Sequence, residues 1–461
     1  MNELLKLCGF TQQEIESELP RINRAFNKLG ITAEDIERGK QRLHKYYEVE
    51  LKGIRKALRL IIRELVDALL VRDEGAKKVI YGFMAPGFDL LSSALVTKSR
   101  DVYSIYHSWA FQIVVGCIFG KLEPVLEEAE GKFLKAGMVA HCANLKTLVG
   151  PITLGLFPKP DLLVTTGFLC EISPKTIDLL HELYDIPVWY VDSCQDRTSR
   201  DYPEPSQRAV SLAAASLRRL VNRIQEVVGF EITNEMLIEV QEAKGKLNAA
   251  LGKIRNLIAN SAPLPLSPAH ENIWRCLSGL DLSIEGIAEA TEVVNVIYEE
   301  IQERVARGLG VVGKDAPRVL ATLPMGQTDP RLEHLACEVG IAIVATDRHV
   351  ELSIKQTSQD PYVKFGIGTQ LGSMHMPVAL RLPLIIEGCK KLNIHGVLDR
   401  YHVGCRSVAG DALLIEKAVK KELGIPVMLL EWENFDPRVY KHDEYKKRLE
   451  IFKTEMVNKS R

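Results

Sequence analysis

Apolar residues recur along this chain with two different periods. From residue 1 to about 75 they return every three or four positions, the spacing of one helix face. Within that stretch Thr11-Gln-Gln-Glu14 and Thr32-Ala-Glu-Asp35 have the form of N-caps, with an acid placed three residues on to meet free backbone amides. Residues 47–70 keep the helical spacing. This predicts a helical N-terminal arm over 1–75, packed on the main body or on a second subunit. Short apolar runs then take over at 78–83, 161–165, 186–191, 318–323, 341–345, 394–398 and 427–430. Loops and helical patterns separate them, and strands alternating with helices predict parallel sheets covered on both faces. Residues 104–129 read as mostly helical with a break near Pro124. Residues 206–258 and 284–306 read as long helices, separated by the Pro-rich piece Ala262-Pro-Leu-Pro-Leu-Ser-Pro268. The predicted fold class is therefore α/β, with the arm at 1–75, a first α/β domain with a helical insert at 76–310 and a second α/β domain at 311–461. The two α/β stretches look like a weak duplication without a fixed period.

Charge changes this picture little. The chain has 461 residues and a formal net charge of −1, so nothing points to nucleic acid or an anionic membrane as a bulk partner. No apolar run reaches the roughly 18–20 residues of a membrane span. The first residues, Met-Asn-Glu-Leu-Leu-Lys, lack the layout of a signal peptide. A cytoplasmic location is expected, where disulfides are rare. The nine cysteines are then either small buried apolar residues or metal ligands.

Two motifs are misleading. Gly308-Leu-Gly310-Val-Val-Gly313-Lys314 spells a dinucleotide fingerprint and nearly a P-loop, with Asp315 where a magnesium-binding Ser or Thr should stand. Phosphate-cradling glycines follow a strand and open a helix. Here a helix precedes them and a strand follows, which makes this a helix C-cap and connector. A hydrolase is also unpromising, because no G-x-S-x-G elbow exists and Gly404-Cys405-Arg406 has no identifiable acid and base partners.

The cysteines carry more information. Cys170, Cys194 and Cys405 each lie a few residues beyond an apolar run, and Cys142 ends a similar short run, Val139-Ala140-His141-Cys142. Ligands collect at that edge of an open α/β sheet. No close C-x₂-C pair of the kind zinc favours is present. One thiol per loop, from Cys142, Cys170 and the distant Cys405, suits a cluster lodged between domains. Three thiolates would leave one iron of a [4Fe–4S] cluster open to substrate or water.

Several blocks then look familiar. Gly396-Val-Leu, Cys405-Arg406, Gly424-Ile-Pro-Val, Glu431, Asp436-Pro-Arg438-Val-Tyr440 and Arg448-Leu-Glu-Ile-Phe452 strongly resemble the 2-hydroxyacyl-CoA dehydratase and benzoyl-CoA reductase subunit family. Asp161-Leu-Leu-Val, Cys170-Glu171 and Ile186-Pro-Val-Trp-Tyr-Val-Asp192 resemble its middle block, and Glu128-Ala-Glu-Gly131 leading to Cys142 its first cysteine block. The resemblance implies two flavodoxin-like parallel-sheet domains with an oxygen-sensitive iron–sulfur cluster between them, ligated by Cys142, Cys170 and Cys405. It also implies a separate ATP-hydrolysing iron–sulfur activator that delivers single low-potential electrons. Ala85-Pro86-Gly87-Phe88-Asp89 departs from the family's paired acids after the first strand, which weakens the case for an acyl-CoA dehydratase.

Setting aside Cys8 in the arm, and Cys337 and Cys389 near helix ends, leaves Cys117, Cys142, Cys170, Cys194, Cys276 and Cys405. Such a set resembles the family's double-cubane branch, in which six thiolates hold an [8Fe-9S] cluster that reduces small molecules. His141, His402 and Arg406 stand near the thiols in sequence as groups to tune potential or supply protons. Arg406 has an alternative role as a structural partner of Glu431 or Asp436. The expectation is an iron–sulfur reductase component, homodimeric and acting on a small molecule. The alternatives are a single-[4Fe-4S] acyl-CoA dehydratase or reductase subunit, and a non-enzymatic electron carrier.

Overall fold

The computed structural model describes residues 1–75, 78–106, 108–137, 142–168, 170, 172–194, 205–322, 328–347, 358–371, 378–402 and 404–459. Two four-stranded sheets organise it. The first contains β1 (Lys78–Gly82), β2 (Val102–Tyr106), β3 (Leu162–Thr165) and β4 (Val188–Tyr190), in the order β2-β1-β3-β4. The second contains β5 (Arg318–Ala321), β6 (Ala342–Thr346), β7 (Gly396–Tyr401) and β8 (Val427–Glu431), in the order β6-β5-β7-β8. Every pairing is parallel. The two orders are the same order, which turns the weak duplication seen in sequence into a shared flavodoxin-like topology. Each order reverses once, between β1 and β3 and between β5 and β7, and ligands bind outside the carboxyl ends of strands at such a point. Helices cover both faces of each sheet, so β3 and β6 are buried along their whole length.

The arm packs on its own chain. Thr11 and Thr32 cap their helices as expected, each in a reciprocal pair with Glu14 or Asp35. The helix Lys52–Leu70 is buried through most of its length and lies against Ile284–Ala306, close enough that a Cβ on Gly53 would meet Ile297 backbone N at 2.8 Å. Its side chains share one apolar core with Phe111, Val149 and Ile254.

The two units interlock rather than merely abut. The helix Pro361–Leu371, which lies between β6 and β7 in sequence, sends Tyr362 and Phe365 into the core of the first unit. It packs on Gln207–Val228 with Gly366 against the Val210 carbonyl. Phe365 also covers Gly87, at the exit of β1, where φ is +75°. With Phe88 folded over Gly82, that exit is filled by aromatic rings.

The stretch 104–129 departs from its helical reading. Its first residues belong to β2, and Ser104, fully buried, breaks the apolar run that marks the other strands. Gln112–Ile118 is a π-helical turn, and the following helix opens at Glu123 with Pro124 in its first turn. Residues 206–258 divide into Gln207–Val228 and Asn234–Ala259 at Gly229, whose φ is +79°. Gly308 closes Ile284–Ala306 with a φ of +65° and leads towards β5, the connector expected in place of a phosphate loop.

Two glycines of one helix test the interlock. Alanine is favoured over glycine in a helix by about 1 kcal/mol, whereas overpacking costs about 1–3 kcal/mol. Gly366→Ala would put Cβ 2.5 Å from the Val210 carbonyl oxygen, while Gly368 has open space around it. In chemical denaturation, Gly366→Ala is expected to lower stability and Gly368→Ala to leave it unchanged or raise it.

Candidate metal centre

Three thiols stand at the starts of helices that follow the sheets. Cys142 caps Ala143–Thr153, Cys170 lies just ahead of Ile172–Tyr184 beyond β3, and Cys405 immediately precedes Arg406–Ala409 beyond β7. The Cys405 carbonyl accepts from the amides of Val408 at 3.2 Å and Ala409 at 2.9 Å, and its own amide donates to the His402 carbonyl at 2.9 Å. β3 and β7 are equivalent strands of the two sheets, so Cys170 and Cys405 occupy equivalent loops.

Backbone contact joins these loops. A Cβ on Gly404 would stand 2.9 Å from Cys142 Cα, 3.0 Å from its Cβ and 3.1 Å from its N. The residue beside Cys405 therefore rests on the Cys142 backbone with no side chain between them. Burial pushes the Cys142 thiol well above the ordinary cysteine pKa, and Glu433, Cys170 and Cys405 push it further. The Leu145 amide, at the start of the helix, pulls the other way. A thiol raised in this way gives up its proton most readily to a cation that binds it.

Glu433 is the residue that sequence reasoning missed. It lies just past β8, at the same edge as the cysteines. One of its oxygens is 2.9 Å from His402 Nδ1, and the other accepts from the Ala143 amide at 3.4 Å. His402 is 3% exposed, and its Nε2 is buried with no hydrogen-bond partner among the described residues. A second network holds the Cys142 helix from outside. Glu130 bridges Lys146 at 2.8 Å and Arg438 at 2.5 Å, and Arg438 also pairs with Asp436 at 2.7 Å. The Arg438 hydrogen bond brings the Glu130 pKa down to about 2. The sequence supplied Glu130, Asp436 and Arg438 as parts of separate blocks, and the fold makes them one clamp.

The remaining candidates fall elsewhere. His141 lies outside the described residues. Arg406 opens its short helix, but its side chain is not among those described; Asp436, one partner considered for it, pairs with Arg438. The Cys194 carbonyl accepts from Gln370 Nε2 at 3.0 Å, which places Cys194 against the Pro361–Leu371 helix. Cys117 is in the π-helical turn of the helical core, its thiol pushed up to about 12 by burial while the Tyr47 hydroxyl opposes the rise. Cys276 shares that core and feels the charge of Cys117. The described residues thus gather Cys142, Cys170 and Cys405 in one place and Cys117 with Cys276 in another.

The three-thiol group fits an iron–sulfur cluster in its chemistry. It offers soft anionic donors from three loops, a glycine cradle and a buried unpartnered imidazole nitrogen. Among the described residues no group of three or more His, Cys, Asp or Glu side chains is arranged to clasp a single metal ion. Comparison with known proteins places the chain in a family. The family model of the 2-hydroxyglutaryl-CoA dehydratase D-component matches residues 108–456. The chain belongs to this family.

Members of the dehydratase family similar to this chain include a subunit of the benzoyl-CoA reductase of Thauera aromatica, 20% identical over 73% of this chain and 82% of the relative. The (R)-phenyllactyl-CoA dehydratase alpha subunit of Clostridium sporogenes is 20% identical over 66% of this chain and 72% of the relative. The matched region contains both equivalent loops and all three gathered thiols. No helix among the described residues is long and apolar enough to cross a membrane.

Gly404→Ala tests the cradle. The added methyl would force the Cys405 loop off Cys142 while leaving both thiols present. After anaerobic reconstitution, iron retained per chain is expected to fall at least several-fold, with the far-ultraviolet circular dichroism unchanged.

Proposed function

We propose that this chain is the iron–sulfur component of a reductase system, with a cluster held by Cys142, Cys170 and Cys405 between the two α/β units. The observation that carries the reading is the convergence of these thiols from three loops, with Gly404 laid on Cys142. A three-thiolate cubane has one iron free for a ligand. The cluster would supply low-potential electrons, received singly from a separate ATP-hydrolysing iron–sulfur activator. The chain's own residues would hold the cluster. The aromatic filling of the β1 exit supports a small substrate rather than a bulky thioester at that point.

A second reading, a subunit of an acyl-CoA dehydratase or reductase, is favoured by the names of the similar proteins, which act on benzoyl-CoA and phenyllactyl-CoA. Calorimetric binding of a CoA thioester, or a stable complex with a different family member, would establish it over the first. A homodimer and a cytoplasmic location belong to the first reading.

The cluster type is open to a count. A [4Fe-4S] cluster gives about four irons per chain and an [8Fe-9S] double cubane about eight. We expect about four on anaerobically purified protein, because Cys117 and Cys276 stand apart with Tyr47 in the helical core. Cys405→Ala is expected to lose the cluster and Cys276→Ala to keep it. Eight irons, with loss in both variants, would establish the double cubane on all six thiolates.

A further inference from the structure

The start of the Cys142 helix is tied to a polar side chain that the thiols do not account for. Gln112 opens the π-helical turn Gln112–Ile118, and turns of this kind recur at functional sites. It is 1% exposed, and its Nε2 donates to Asn144 Oδ1 and to Thr147 Oγ1, both at 2.8 Å. Asn144 and Thr147 lie in the first half of Ala143–Thr153, and both are buried. The same turn also packs towards Glu433. A Cβ on Gly116 would stand 2.9 Å from Thr328 Cβ. Thr328 in turn donates its amide, at 3.0 Å, and its hydroxyl, at 3.2 Å, to the carbonyl of Asn434, the residue after Glu433.

These bonds fix which end of each amide points where. Thr147 Oγ1 donates to the Asn144 carbonyl at 2.7 Å, and a carbonyl can only accept. The hydroxyl hydrogen is thereby used, so the group that Gln112 turns to Thr147 Oγ1 must be a donor, its NH2. The same nitrogen meets Asn144, whose oxygen must therefore face Gln112. The Asn144 NH2 is left pointing away from Gln112. It meets no acceptor among the described residues, although the residue is only 3% exposed. A buried donor left unmet is costly, so this NH2 calls for an acceptor that the protein chain itself does not supply.

Helix side chains lean towards the helix N-terminus. For Asn144 that end is Cys142, at the N-cap, with Glu433 on the Ala143 amide. We propose that Asn144 is a hydrogen-bond donor to the sulfur of the metal centre, and that Gln112 is the positioning residue that keeps its NH2 turned there. Hydrogen bonds to cluster sulfur favour the reduced, more negative state and so raise the potential. A neutral amide does this without a titrating proton. Glu433, as a carboxylate, brings only acceptors to the same edge. The inference rests on the cluster reading above, because the cluster is what the NH2 would meet.

The test uses full-length protein purified anaerobically, with iron content measured first. Asn144→Leu keeps the size of the side chain and removes its donors. Gln112→Glu also keeps the size but offers only oxygens to Thr147 and Asn144, which turns the Asn144 amide round and points its oxygen at the centre. Both variants should retain the iron of the wild type. In redox titrations followed by electron paramagnetic resonance, both should have a lower midpoint potential than the wild type. Electron–nuclear double resonance in H2O and D2O should show the same exchangeable-proton coupling lost from both, a change that the added carboxylate charge cannot imitate. Unchanged potential and coupling in Asn144→Leu would overturn the donor role. A wild-type coupling in Gln112→Glu would overturn the positioning role. Loss of iron from both variants would overturn the proposal by showing the network to be structural alone. A wild type that binds no iron would sink the cluster reading itself, and this inference with it.

Discussion

The functional edge of this chain depends on a close approach between two stretches of backbone far apart in sequence. Gly404 lies on Cys142 at a distance that excludes any side chain, and everything else at the site follows from that contact. It brings a loop of the second sheet onto a helix start of the first unit, which sets Cys405 beside Cys142, with Cys170 arriving from the equivalent loop of the first sheet. The contact survives only if the two units are held rigidly. Phe365 against Gly87, Gly366 against Val210 and the Glu130–Arg438 bridge hold them together. Packing of this density transmits small displacements. Substitutions in the Pro361–Leu371 helix would therefore act on the thiols without touching them.

Electrostatics divides the titratable groups into sets with different roles. At the thiols, burial and the neighbouring Glu433 raise Cys142 well above the ordinary cysteine range, and a metal binding there would displace its proton. In the core of the first unit Glu64 and Asp281 are also raised, chiefly by burial, with Tyr103 donating to Glu64 and the Tyr106 amide to Asp281. That pair is tied into the end of β2 and the arm.

Much of the fold could be read from local periodicity. The apolar runs at 161–165, 318–323, 394–398 and 427–430 became strands because β-branched and aliphatic residues, buried on both faces, have no reason to alternate. β2 escaped because Ser104 interrupts it and a helix begins almost at once. The thiols on exit loops were legible for the same reason the strands were. What no local pattern carries is which loops meet. Glu433 has no motif of its own, and its partnership with His402 and Ala143 exists only after the chain has folded. Cys117 and Cys276 stayed in the sequence set only because Cys8, Cys337 and Cys389 were set aside, since the depth of a helical face in a large core is a tertiary property. The blocks around Glu130 and Arg438 were recognisable singly, but their ion pair joins residues near opposite ends of the matched region.

The shared strand order has a historical meaning. Cys170 and Cys405 leave corresponding strands of two units with one topology, and these are the loops that converge. A precursor made of two identical copies of one such unit would already have faced two matching sulfurs across its symmetry axis. Cys142, at the start of a helix of the first unit, has no such twin among the gathered thiols. Joined in one chain, the two halves are free to differ: one carries a third thiol, Cys142, and the other a carboxylate, Glu433, at its own edge.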